Sequence, residues 1–86
     1  MRRAIRWTDD ARKHLKRLGG GTRERIRQAL YRFAETGYGD VVKLREPETG
    51  LRLRVGNWRV RFDYDEETGT IDVHAVLARG EAYRRR

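Results

Sequence analysis

At 86 residues the chain has room for one small domain with a limited core, and its formal net charge of +8 asks for a polyanionic partner such as nucleic acid. Cysteine is absent and the two histidines lie far apart, which excludes a disulfide framework and a thiolate zinc site and argues for a protein without a metal or other cofactor. No apolar run reaches the length of a signal peptide core or a membrane span, so a cytoplasmic protein with no membrane partner is expected.

In chain order, residues 2–7 read as a short strand, with Ile5 and Trp7 on one parity and Ala4 and Arg6 on the other. Thr8 then reads as an N-cap, and Asp9 and Asp10 fall in the first turn, where carboxylates suit the positive end of the helix dipole. This helix should run to about residue 18, with Ala11, Leu15 and Leu18 as its apolar stripe, and Gly19-Gly20-Gly21 should stop it. Thr22 reads as the cap of a second helix over 23–35, whose stripe is Ile26, Ala29, Leu30 and Phe33. The two helices form a hairpin able to cover one side of a sheet. His14 and Tyr31 sit beside the stripes, as boundary residues rather than ligands or catalysts. A loop containing Gly37 and Gly39 leads to a strand over 41–44, followed by a turn around Pro47 and Gly50.

Residues 51–62, LRLRVGNWRVRF, organise the rest. Leu51, Leu53 and Val55 alternate with Arg52 and Arg54; after Gly56-Asn57, Trp58, Val60 and Phe62 alternate with Arg59 and Arg61. Strict period two on both sides of a Gly-Asn pair predicts a two-residue β-hairpin, with glycine at the first central position as the II′ turn prefers. In that register Arg54 lies opposite Arg59 and Arg52 opposite Arg61. Like charges directly opposite one another are unfavourable in a sheet, and a phosphate chain is the counterion whose oxygens match the planar fork of a guanidinium. Three of the 21 basic residues are lysines, so arginines are common enough here for some to be a plain solvated face; four in register on one patch favour phosphate binding.

The hairpin's second strand should extend through Tyr64, a turn should follow at 66–69, and residues 71–77 should form the last strand. Ile71, Val73, Ala75 and Leu77 share a parity and are expected beneath the helices, with His74 facing out beside Arg61. The fold class is α+β, in the order β-α-α-β-β-β with three or more strands after the helices, both helices packing on one face of a mostly antiparallel twisted sheet. The tail, ARGEAYRRR, places Arg79 and Tyr83 where they can bend toward the arginine face, and Arg84, Arg85 and Arg86 read as a basic terminus.

These features together resemble the RelE/ParE superfamily of bacterial and archaeal toxins from type II toxin-antitoxin systems. The likeness covers nearly the whole chain: the strand ending in Trp7, the capped helix pair, Lys43-Leu44, the LRLRVGNWRVRFDY hairpin, and Arg79-Gly80-Glu81-Ala82-Tyr83-Arg84. The resemblance implies a toxin that enters the ribosomal A site and cleaves messenger RNA, held inactive by a cognate antitoxin that wraps it. By position, Arg52, Arg54, Arg59, Arg79 and Tyr83 match the catalytic members of the RelE-like motif, with Lys43, Arg45, Arg61 and Arg84 as further RNA contacts. A ParE-like inhibitor of DNA gyrase, or a non-enzymatic RNA-binding module, are the other readings the same sequence admits.

Metal-independent RNA cleavage uses the 2′-hydroxyl as nucleophile on the adjacent phosphate, so the protein must supply in-line geometry and offset developing negative charge. Arg54 and Arg59 are placed to hold the non-bridging oxygens, Arg79 to stabilise the transition state, and Tyr83 to stack on a base. Some relatives carry lysines where this chain has Arg52 and Arg54, and guanidinium does not deprotonate in proteins. Proton transfer then falls to Tyr83, Glu81 or His74; Glu81 has a better free pKa for accepting a proton than Tyr83, which would need a strongly lowered one, and the choice stays open.

Overall fold

The computed structural model describes residues 3–46 and 49–80, in the order β1 (Ile5–Trp7), α1 (Asp9–Lys16), α2 (Gly20–Thr36), β2 (Asp40–Lys43), β3 (Leu51–Val55), β4 (Trp58–Asp65) and β5 (Thr70–Ala78). The strands form a single sheet in the order β1-β5-β4-β3-β2; β1 runs parallel to β5 and the other three pairings are antiparallel. The α+β class is as expected, with four strands after the helices.

Both helices bury their stripes on one sheet face. Ala11 and Leu15 from α1 and Ile26, Leu30, Phe33 and Ala34 from α2 meet Leu53, Val55, Val60, Phe62, Ile71, Val73 and Val76 from the strands. Phe33 and Phe62 pack edge to face at 5.5 Å, and Tyr64 adds a third ring 5.9 Å from Phe62. These apolar positions recur at helical spacing on the helices and at alternate residues on β3 and β4, so burial of one face selects the layer arrangement.

The ends of α1 follow local chemistry. The Thr8 hydroxyl accepts a hydrogen bond from the Ala11 backbone N–H at 3.1 Å, and Asp9 and Asp10 occupy the first turn. The entry to α2 differs from expectation: Gly19 is the N-cap, without a side-chain cap bond, and Thr22 lies inside the helix. Gly20 and Gly21 therefore belong to the first turn of α2 instead of ending α1. Arg23 spans the junction, its guanidinium donating to the Leu18 carbonyl at 3.1 Å and its backbone N–H to Gly19 at 2.9 Å.

The second correction concerns β5. Its register against β4 shifts between Arg61 and Phe62: Phe62 faces Val73, but Arg61 faces Ala75 and Val60 faces Val76. The extra residue is His74, a β-bulge that turns Val76 toward the helices and puts Ala75 and Leu77 on the opposite face. Helix α1 secures the bulge, because the Val76 N–H donates to His14 Nδ1 at 3.1 Å and the Thr8 hydroxyl donates to the His74 carbonyl at 3.3 Å. His14 is thus a structural acceptor where a boundary residue was expected.

Candidate functional site

The β3–β4 turn is the geometric origin of the site. Among the described residues only glycines have positive φ, Gly56 at +62° included, so Asn57 keeps an ordinary backbone and the turn is of the II′ kind. Its register pairs Val55 with Trp58, Arg54 with Arg59, and Arg52 with Arg61. Because paired residues project to the same side and Val60 and Leu53 face the helices, all four arginines lie on the face opposite α1 and α2.

The four do not stand alike. Arg54 is exposed and reaches Asp40 of β2 at 4.0 Å, a loose surface pair. Arg52 and Arg61 are half-buried. Arg59, between Arg54 on one side and Leu77 on the other, is only 5% exposed. Its guanidinium donates from Nη1 to the carbonyls of Gly56 and Trp58 at 3.2 and 3.3 Å, while its Nε is buried with no hydrogen-bond partner among the described residues. A buried cation with an unused donor is costly unless an anion completes it.

Two more arginines converge on the same end of the sheet. After β5 the chain enters a helical turn at Arg79-Gly80, and the Arg79 backbone N–H donates to the Asn57 carbonyl at 2.9 Å. Arg79 is thereby tied to the hairpin turn whose strands carry Arg54 and Arg59. Arg25 of α2 arrives from the helix side: a Cβ built on Gly56 would lie 3.0 Å from its Nη2. Sequence reading had no signal for Arg25, an exposed helix residue outside the apolar stripe, since only tertiary packing brings it to the turn.

The remaining candidates are not all brought together. Lys43 pairs with Leu51, whose partner Phe62 is in the core, so Lys43 projects to the helix side of the edge strand and not onto the arginine face. Arg45 is exposed in the connection between β2 and β3. Glu81, Tyr83 and Arg84 lie outside the described residues. His74 is exposed as expected, but its partner is Asp63, 2.8 Å from Nε2, rather than Arg61. At that far end of the same face Arg6 donates to Asp72 at 2.9 and 3.3 Å. That hydrogen bond, opposed by burial and aided by the Arg6 charge, holds the Asp72 carboxyl below the usual carboxylate range.

Among the described residues no cluster of three His, Cys, Asp or Glu side chains could hold a metal ion, and no helix is long and apolar enough to cross a membrane. The arrangement can bind a chain of phosphates through guanidiniums graded from exposed to buried, with the most buried one at the hairpin end.

Residues 5–83 match the family model described as the ParE toxin of the type II toxin-antitoxin system, parDE. The fold is similar to the toxin-antitoxin complex RelBE2 from Mycobacterium tuberculosis, at 22% identity and a TM-score of 0.80 over 92% of this chain and 100% of that one. It is similar also to the archaeal RelE-RelB complex from Pyrococcus horikoshii OT3, at 20% identity and a TM-score of 0.77 over 93% and 98% of the two chains. A mutant of the E. coli toxin RelE in the free state aligns at 25% identity and a TM-score of 0.72, over 96% and 88%. Among curated protein sequences, none matches.

Proposed function

As a member of the ParE toxin family of type II toxin-antitoxin systems, within the RelE/ParE superfamily, this chain, we propose, is a ribosome-dependent endoribonuclease that cuts messenger RNA in the A site, stops translation, and is neutralised by a cognate antitoxin. The observation that carries the reading is Arg59, a buried guanidinium with an unused N–H, set opposite Arg54 on the hairpin to whose turn Arg79 is tethered. A phosphodiester supplies what this group lacks, and an oxyanion gains most from donors already fixed in a site of low dielectric. The similar solved structures include RelE toxins bound to their antitoxins, which supports an antitoxin partner here.

In this mechanism Arg54 and Arg59 hold the non-bridging oxygens of the scissile phosphate. The 2′-oxygen attacks phosphorus in line, the bond to the 5′-oxygen breaks, and a 2′,3′-cyclic phosphate and a free 5′-hydroxyl result. Arg79 offsets the charge that builds on the pentacoordinate phosphate, while Arg52 and Arg61 carry the neighbouring backbone. Glu81 is the assigned proton acceptor, Tyr83 the stacking platform and Arg84 a further RNA contact; Lys43 and Arg45 fit contacts to the ribosome or RNA away from the arginine face.

Expression in a translating extract, with transcript 5′ ends mapped, tests the proposal. Cuts in register with codons that vanish when translation is blocked are expected, and Arg59→Ala or Arg79→Ala should abolish them. Unchanged cleavage in both variants removes the assigned site. The ParE description of the matching family favours one second reading, inhibition of DNA gyrase; loss of supercoiling in a purified gyrase reaction, with transcripts left intact, would establish it instead.

A further inference from the structure

The segment between α2 and β2, Thr36-Gly37-Tyr38-Gly39-Asp40, presents an aromatic ring to solvent from a backbone with little freedom. Gly37 caps α2 in the left-handed conformation at φ +79°, its N–H bonded to the Phe33 carbonyl at 2.8 Å. The Tyr38 N–H donates to the Thr36 hydroxyl at 3.0 Å, and that hydroxyl donates to the Arg32 carbonyl at 2.7 Å. Gly39 lies so close to the core that an added Cβ would sit 2.9 Å from Leu53 and 3.3 Å from Phe33. Tyr38 is thus pinned on both sides, yet it is 69% exposed, the most exposed large hydrophobic side chain among the described residues.

Beside the ring is a cleft of about 320 Å³ with Ala29 and Leu53 as its apolar floor and Tyr38, Asp40, Arg32 and Arg54 around it. Arg54 is shared with the arginine face, so the cleft continues the phosphate track round the edge of the sheet. An aromatic side chain on a pinned backbone, a small apolar floor and two flanking guanidiniums are what a single unstacked nucleobase with its phosphates requires. The volume suits one flat ring system, at the small end of ligand clefts. An acidic peptide would pair with the arginines as well but would gain nothing specific from the ring.

We propose that the Tyr38 cleft is a nucleobase subsite, in which one base of single-stranded RNA stacks on Tyr38 while its phosphate is held by Arg54 and Arg32. This deepens the RNA reading above and depends on it. It adds a stacking contact at the β2 edge of the sheet.

The test is binding of an eight-nucleotide single-stranded RNA of mixed sequence to the full chain, read by fluorescence anisotropy at several salt concentrations, with a set of RNAs each carrying one abasic position. Tyr38→Ala should weaken binding about 5- to 100-fold with the salt slope unchanged, and Tyr38→Trp should restore it. Arg54→Ala should lower the slope by about one. One abasic position should cost the wild-type protein the same factor and cost Tyr38→Ala nothing. Equal binding by Tyr38→Ala and wild type, with Arg54→Ala still weakened, overturns the subsite and leaves the RNA reading standing; an acidic peptide as the true occupant would give this result. Abasic losses independent of Tyr38 also overturn it. Failure of the wild-type chain to bind the RNA even at low salt overturns the subsite, while the mapping of transcript ends in a translating extract decides the cleavage reading separately.

Discussion

The sheet face opposite α1 and α2 has two ends that meet the same problem in opposite ways. At the hairpin end Arg54 faces Arg59 and Arg52 faces Arg61; at the far end Asp63 faces Asp72. Like charges directly across a sheet repel in both places. At the acidic end the fold supplies the remedy, with Arg6 on Asp72 and His74 on Asp63. At the basic end Asp40 stands only within 4.0 Å of Arg54, and Arg59 is folded onto carbonyls with a donor unused. The described residues thus pair the facing charges of the acidic end more closely than those of Arg54 and Arg59 at the basic end, where the phosphate proposed above would supply the counter-charge. The His74 bulge marks the boundary between the two regimes.

Changes on either side of that boundary can break or sharpen this contrast. The largest effect is expected at Arg59. Arg59→Leu replaces a buried cation with an apolar group, so thermal melting should be unchanged or higher while transcript cleavage falls on the order of 100- to 1,000-fold. Cleavage that persists, or a chain that no longer folds, would make Arg59 structural and erase the difference between the ends. Next is the boundary itself: His14→Ala removes the acceptor for the Val76 N–H and should cost about 1–3 kcal/mol in denaturant unfolding, with faster hydrogen exchange at Val76.

A smaller effect should follow from giving the basic end the acidic end's remedy. Arg61→Glu places a carboxylate opposite Arg52, which should raise stability by about 0.2–1 kcal/mol while RNA affinity and its salt slope both fall. The smallest is at Asp72. Its folded pKa is depressed through the bond to Arg6, so the folded state binds fewer protons than the unfolded state in acid. The contribution of the pair is complete above the ordinary aspartate value of about 4 and is lost as pH falls through the depressed one. Asp72→Asn should therefore flatten the acid limb of a stability profile measured from pH 6 to pH 3 and leave RNA binding unchanged.

The hairpin end was legible in the sequence because period-two alternation and Gly56-Asn57 determine register between them, leaving the four arginines one face to occupy. The bulge was not legible. Ala75, Val76, Leu77 and Ala78 are all apolar, so either parity fits the core, and the choice is made by His14 and Thr8 on a helix more than sixty residues earlier. Thr22 is a better intrinsic capping residue than Gly19, but the tight junction between helices and the Arg23 bond to Leu18 start α2 earlier. Arg25 and the Tyr38 cleft depend on which helix face meets which strand edge, information that local patterning does not carry. The parity of Lys43 could have been read from the β2–β3 register, but no turn signal fixes that register as Gly56 fixes the next one.

The strand order β1-β5-β4-β3-β2 places β5 between β1 and β4. A growing chain that has not yet reached Thr70 offers Ile5–Trp7 no strand to lie beside, and α1 lacks the floor it packs on. The tether that carries Arg79 to Asn57 forms later still. The Arg79 corner of the sheet therefore forms only once nearly the whole chain has emerged, and on the ribonuclease reading proposed above a truncated product would lack it.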